Sequence, residues 1–176
     1  VRVVTRSSSG TVNVNVGKID YTKVEKGAIY MFFDDGTSGQ YENAFRIMEK
    51  YGLRGTIDVV TSWVGNDNFV TWSQLREMEQ AGWVVCSHTH THPRLWDISD
   101  EEVRYECETS SRMLFDRGFY FGSKCMVAPF GAYSARVDRV AREYFAIVRS
   151  NAYDNRNNPS MEHIHSHPRH QYHISP

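Results

Sequence analysis

Ala28-Ile29-Tyr30-Met31-Phe32-Phe33-Asp34-Asp35-Gly36 is the stretch on which the reading of this chain turns. Six apolar residues run without a break and stop at two adjacent acids and a glycine. It is the longest such run in the sequence, far short of the ~18–20 residues that cross a bilayer, so membrane insertion is excluded. A short continuous run of this kind suits a strand buried on both faces, as in a parallel sheet. An acid pair at a strand end is costly unless a cation or hydrogen bonds offset the repulsion. Neighbouring side chains of extended backbone point to opposite sides, so Asp34 and Asp35 are expected to serve different partners.

Downstream the pattern repeats. Gln40 to Tyr51 carries helical spacing at Ala44, Ile47, Met48 and Tyr51, and Thr56 to Val60 reads as a second strand. Thr71 and Gln74 form a capping box for a helix through Ala81, stopped by Gly82. Trp83 to Cys86 is a third strand, and Ser99 with Glu102 caps a long helix to about Asp116. Lys124 to Ala128 is strand four, Ser134 caps a helix to about Glu143, and Phe145 to Val148 is strand five. Repeated strand–helix alternation means an α/β fold with a parallel sheet, either an open sheet or a barrel.

Upstream, Ser7-Ser8-Ser9-Gly10 is linker-like, and Thr11 to Gly17 alternates apolar and polar residues as a half-exposed strand does. Residues 1–27 are therefore expected to be an N-terminal strand extension or linker, and 28–176 the main domain. The 176 residues are about one domain's worth, with 40% hydrophobic and 23% charged residues, an ordinary globular composition. Twenty basic against 21 acidic residues leave no charge excess for nucleic acid or an anionic surface. No signal peptide or lipidation motif is readable, and a start at Val1 fits a mature form or a fragment. Cys86, Cys107 and Cys125 are an odd, widely spaced set, read as buried free thiols, with one disulfide plus a thiol as the alternative.

In either parallel architecture ligands bind at the carboxyl ends of the strands. Polar groups gather there: Asp34-Asp35-Gly36, then Ser87-His88-Thr89-His90-Thr91-His92-Pro93, then Pro129-Phe130-Gly131-Ala132-Tyr133. His88 and His92 are spaced as on one helical turn, so both can face one point. Two imidazoles and one carboxylate make a ligand set for zinc or another first-row divalent ion. Asp-Asp-Gly alone reads equally well as a turn, and a histidine pair alone as a hydrogen-bonded loop. Together, on strands one and three of one array, they point to a metal. An open-sheet nucleotide fold is set aside because no Gly-rich phosphate loop follows strand one.

Phe33-Asp34-Asp35-Gly36, His88-Thr89-His90-Thr91-His92-Pro93 and Ala128-Pro129-Phe130-Gly131-Ala132-Tyr133 resemble, in order and spacing, the first three motifs of the polysaccharide deacetylases. These are the family-4 carbohydrate esterases, or NodB-homology domain. The resemblance covers about residues 28–150. It implies a distorted (β/α) barrel with a divalent metal, commonly zinc, that removes N- or O-linked acetyl groups from an extracellular or cell-envelope polysaccharide. It also implies that Asp34 is the general base and that Asp35, His88 and His92 are the metal ligands. The backbone N–H of Phe130 then helps hold the oxyanion, at a position where the family usually has tyrosine. His90, between the ligands, is expected to face away from the metal.

The sequence departs from the family in three places. The arginine that braces the base normally stands two residues before the motif's proline, where this chain has Val127. Arg149, at the end of strand five, is the expected substitute. The family's late leucine–histidine motif, source of the general acid, is not found. Only 45 residues follow Gly131, fewer than a full barrel ordinarily needs, so a barrel incomplete at the C-terminus is expected, or one whose last strands and acid are supplied differently. These departures favour an alternative reading: a catalytically weakened module that binds carbohydrate or serves structurally in an extracellular assembly. The intact acid pair and histidine pair favour the enzyme. Five histidines in the tail (His163, His165, His167, His170 and His173) read as a solvated segment rather than ligands. Among the tryptophans, Trp96 is the one expected near a glycan.

Overall fold

The computed structural model describes residues 31–150. The proposed N-terminal strand and the histidine-rich tail lie outside them. Five strands form one parallel sheet in the order β1-β2-β3-β4-β5. They are β1 (Phe32–Asp35), β2 (Thr56–Val59), β3 (Val84–Ser87), β4 (Cys125–Val127) and β5 (Ile147–Arg149). Each strand pairs with the next in sequence and the order never reverses. A doubly wound sheet reverses at a switch point, whereas a barrel advances in one direction. The sheet is accordingly a curled half-barrel with its helices on the outside.

β1 runs to Asp35, further than the apolar run suggested, because Asp34 and Asp35 stay in register with Asp58 and Val59 of β2. Gly36 then turns the chain away with φ +77, where a Cβ would press on Val59 at 3.0 Å. The first helix opens with a π-helical stretch, Gln40–Phe45, before α1 (Arg46–Lys50). The Gln40 side chain there donates to the Asp34 carbonyl. Both expected capping boxes are present, Thr71–Gln74 on α2 (Trp72–Gln80) and Ser99–Glu102 on α3 (Asp100–Asp116). Ser134 caps α4 (Ala135–Ala141).

Strand alternation divides the sheet. Ile57, Val59 and Val85 pack outward with Leu75, Met78, Trp83, Leu114 and Phe119 under the helices. The intervening residues, Asp34, Asp58 and Cys86, occupy successive strands in register and belong to the opposite, inner face. A second core, from Leu95 through Cys107 and Met126 to Phe145, joins α3 and α4 to β4. All three cysteines are buried and free.

Candidate functional site

Asp34 and Asp35 do take different partners. Asp35 has φ 76, a left-handed turn at the strand end that brings its carboxylate toward the histidine loop. Its Oδ1 is 3.5 Å from His88 Nε2 and 3.4 Å from His92 Nε2. The two Nε2 atoms are 3.2 Å apart. Atoms bound 2.0–2.1 Å from a tetrahedral zinc stand about 3.3–3.4 Å from one another, so this donor set fits such an ion. Asp35 is the most open of the three, at 44% exposure, which leaves the free side of the set toward solvent.

The histidine pair meets by a route other than the helical turn its spacing suggests. Residues 88–92 form a loop in which Thr89 (φ 68) and His92 (φ 69) are left-handed. Side chains hold that backbone. Ser87 Oγ accepts from the Thr89 amide and Thr89 Oγ1 from the His92 amide, both at 3.1 Å. Glu106, buried on α3, accepts from the amides of His90 and Thr91 at 2.7 Å each. Four charge-assisted or local bonds thus offset the strain of two left-handed residues.

His88 Nδ1 lies 2.9 Å from the Val127 carbonyl. A carbonyl only accepts, so Nδ1 carries the proton and Nε2 turns a lone pair toward Asp35. Burial pushes both imidazoles below their ordinary 6.5, toward the neutral form that binds metals. For His88 the nearby Asp34 charge opposes that shift, and for His92 the Asp35 charge does. His90 faces elsewhere, with Nδ1 2.9 Å from Thr61 Oγ1 and its ring edge-on to Tyr105.

Aromatic rings flank the set. His92 lies between Trp63, at 5.1 Å between centroids, and Phe130, at 4.7 Å. The indole against His92 is therefore that of Trp63, whereas Trp96 was the one expected near a glycan. Phe130 is itself left-handed (φ 57, ψ 11) within the Pro129–Gly131 turn, and its ring is exposed.

Arg149 reaches Asp34 from β5, forming an ion pair through Nη2. Val127 and Arg149 are register partners on β4 and β5. The guanidinium therefore comes from the strand beside the position that lacks it. The same Nη2 lies 3.2 Å from Asp58 Oδ2, on β2 opposite Asp34. Asp58 is fully buried, and burial holds its carboxyl well above the ordinary 3.8, with Arg149 pulling down and Asp34 pushing up.

Asp58 and Glu106 were both missed from sequence, although each left a trace. Asp58 is a lone acid within the apolar strand Thr56-Ile57-Asp58-Val59-Val60. Glu106 shares the buried face of α3 with Val103, Cys107, Ser110 and Leu114. An acid on a buried face is paired as a rule, and the partner is what sequence alone leaves unnamed.

The family model for polysaccharide deacetylase matches residues 21–145. The chain belongs to that family. A poly-β-1,6-N-acetyl-D-glucosamine N-deacetylase of Staphylococcus aureus is 28% identical over 123 residues, covering 62% of this chain and 42% of that protein. Among solved structures, a Streptococcus pyogenes deacetylase, PplD, in complex with acetate is 27% identical. It aligns with a TM-score of 0.62 over 65% of this chain and 51% of that one. A family-4 carbohydrate esterase from Streptomyces lividans, also with acetate, is 23% identical with a TM-score of 0.61, covering 69% and 61%. The second likeness bears on the fold alone. The chain spans about two-fifths of the length of the curated relatives it matches. No described helix of this deacetylase-family chain is long and apolar enough to cross a membrane.

Proposed function

We propose that this domain is a divalent-metal-dependent hydrolase that removes N- or O-linked acetyl groups from a polysaccharide. The observation that carries the reading is the convergence of Asp35 and the two Nε2 atoms within 3.2–3.5 Å, with Asp34 beside them on the same strand end. Asp35, His88 and His92 would hold the metal, zinc being the ion that suits two imidazoles and a carboxylate best. When bound, such an ion supplies Lewis acidity to the acetyl carbonyl and makes water a stronger acid near neutral pH.

The chain's own residues do the rest. Asp34 takes a proton from the water as its oxygen attacks the acetyl carbon. Arg149 holds Asp34 in place by a charge-assisted hydrogen bond. The Phe130 amide, turned by its left-handed backbone, donates to the oxygen that gains charge. The carbon–nitrogen or carbon–oxygen bond then breaks, and the leaving atom takes up a proton, giving acetate and a free amine or hydroxyl. Trp63 and Phe130 keep the His92 ring from rotating. The departure at Val127, which favours a non-catalytic module, is offset by the arginine on its register partner.

The Staphylococcus aureus relative is named for an N-acetylglucosamine polymer, and the Streptococcus pyogenes deacetylase is in complex with acetate, the product expected here. Those names support an N-acetylated hexosamine glycan as the first substrate class, and with it an extracellular or cell-envelope site of action. The test is metal content of the purified protein together with acetate release from acetylated chitooligosaccharides and acetylated xylan. One zinc per chain and release from the chitooligosaccharides support the reading. Bound metal with no acetate from either substrate would move the reading to a carbohydrate-binding module.

A further inference from the structure

Asp58 is a buried carboxyl that the proposed hydrolysis does not use, and its position calls for a reason. It sits on β2 at 0% exposure, between Ile57 and Val59 of the outward core. An aliphatic residue there would continue the strand at no desolvation cost, whereas a buried carboxyl is costly unless paired.

Its pairing is specific. Arg149 Nη2 donates to both Asp34 Oδ1 and Asp58 Oδ2. A guanidinium nitrogen has two hydrogens, and each carboxyl takes one. Asp34 and Asp58 face the same way because they are register partners on adjacent strands. Arg149 comes from β5, with β3 and β4 intervening in the sheet, so its side chain crosses the inside of the curl. A long side chain spanning that distance to one partly exposed carboxylate has many rotamers open to it. Two contacts remove that freedom: the guanidinium lies over the Phe32 ring at 4.6 Å, which sets its plane, and Asp58 anchors its end.

We propose that Asp58 is a positioning residue: its carboxyl pins the Arg149 guanidinium so that one N–H is presented to Asp34. The brace that the family takes from the position of Val127 is thus rebuilt from β5 and β2, and the rebuilt brace needs the accepting oxygen on β2. The inference rests on the reading of Asp34 as the base.

The experiment compares Asp58→Leu and Asp58→Asn with the parent by steady-state acetate release and zinc content. It also follows the arginine side-chain N–H resonances by NMR, the Arg149 signal being assigned by its loss in Arg149→Lys. Asp58→Leu should lower kcat about 10–100-fold with KM within about 2-fold. One zinc per chain should remain, and the exchange-protected Arg149 signal should disappear. Asp58→Asn keeps an accepting oxygen and should restore the signal and most of the rate. Parent-like kcat in Asp58→Leu, or a lost kcat with the Arg149 signal intact, would overturn the proposal. An Asp58→Asn variant no better than Asp58→Leu would overturn it too. If the parent itself releases no acetate, the deacetylase reading fails while the NMR comparison still decides whether Asp58 pins Arg149.

Discussion

Two halves of the site lie side by side and are built in opposite ways. The half around His88 and His92 is local: two proposed ligands from one five-residue loop, tied by their own neighbours and by Glu106 sixteen residues on. The half around Asp34 is assembled across the sheet, from β1, β2 and β5, with Arg149 lying 115 residues from its partner. A local half tolerates little change in sequence spacing, because the loop sets the geometry. A cross-sheet half can exchange its donors between strands so long as the register brings them to one place, as Val127 and Arg149 illustrate.

Changes to the local half should have the largest effects. His88→Ala removes one of three ligand atoms and should abolish stoichiometric zinc, read by metal analysis, and bring acetate release to background. Full occupancy in that variant would show that the histidine loop is not the metal half. Asp34→Asn separates the halves: zinc should remain at one per chain while kcat falls at least about 100-fold, the usual worth of a positioned base. Equal loss of zinc in Asp34→Asn and Asp35→Asn would erase the distinction.

Glu106→Gln should fall between these and wild type. The Gln oxygen can still take both backbone amides, as Glu106 Oε2 does, but the acceptor of the Thr91 hydroxyl and the charge are lost. The loop therefore loosens and zinc affinity should drop about 10-fold. Competition with a chelator measures it, and unchanged affinity would mean that Thr89 and Ser87 hold the loop unaided.

The smallest effect is a pH slope from the cross-sheet half. Folding raises the Asp58 carboxyl above 3.8, first through burial, so the native chain binds a proton there more readily than the unfolded one. That contribution to stability is complete below the unfolded value and is lost as pH rises toward the folded one. Each pH unit in that window costs up to about 1.4 kcal/mol. Metal-free Asp58→Asn should therefore gain in Tm on the parent by a few degrees as pH rises from about 4 toward neutrality. A difference that stays flat with pH would place Asp58 in the ordinary carboxylate range.

The same contrast explains what could be read from sequence. Asp34-Asp35 and His88 to His92 are contiguous, and alternation along a strand end separates the two acids, so the convergence of Asp35, His88 and His92 was legible. Its mechanism was not: the four-residue spacing suggests a helical turn, and only the structure shows two left-handed residues in a loop. Helix starts at Thr71, Ser99 and Ser134 were legible because caps are local. The π-helical opening at Gln40–Phe45 was not, since it answers to the Asp34 carbonyl rather than to any pattern within the helix. Arg149 was reachable through strand order, but Asp58 needed the register of β1 against β2, which no spacing reports.

Zinc titration of acetate release tests the central claim most directly. Metal-free protein, prepared with a chelator, would be titrated with zinc while acetate release from an N-acetylated chitooligosaccharide is followed. Activity should rise linearly and level off at one zinc per chain, and His88→Ala should show no such rise. Acetate release that survives complete removal of metal, or none at any zinc level, would contradict the account.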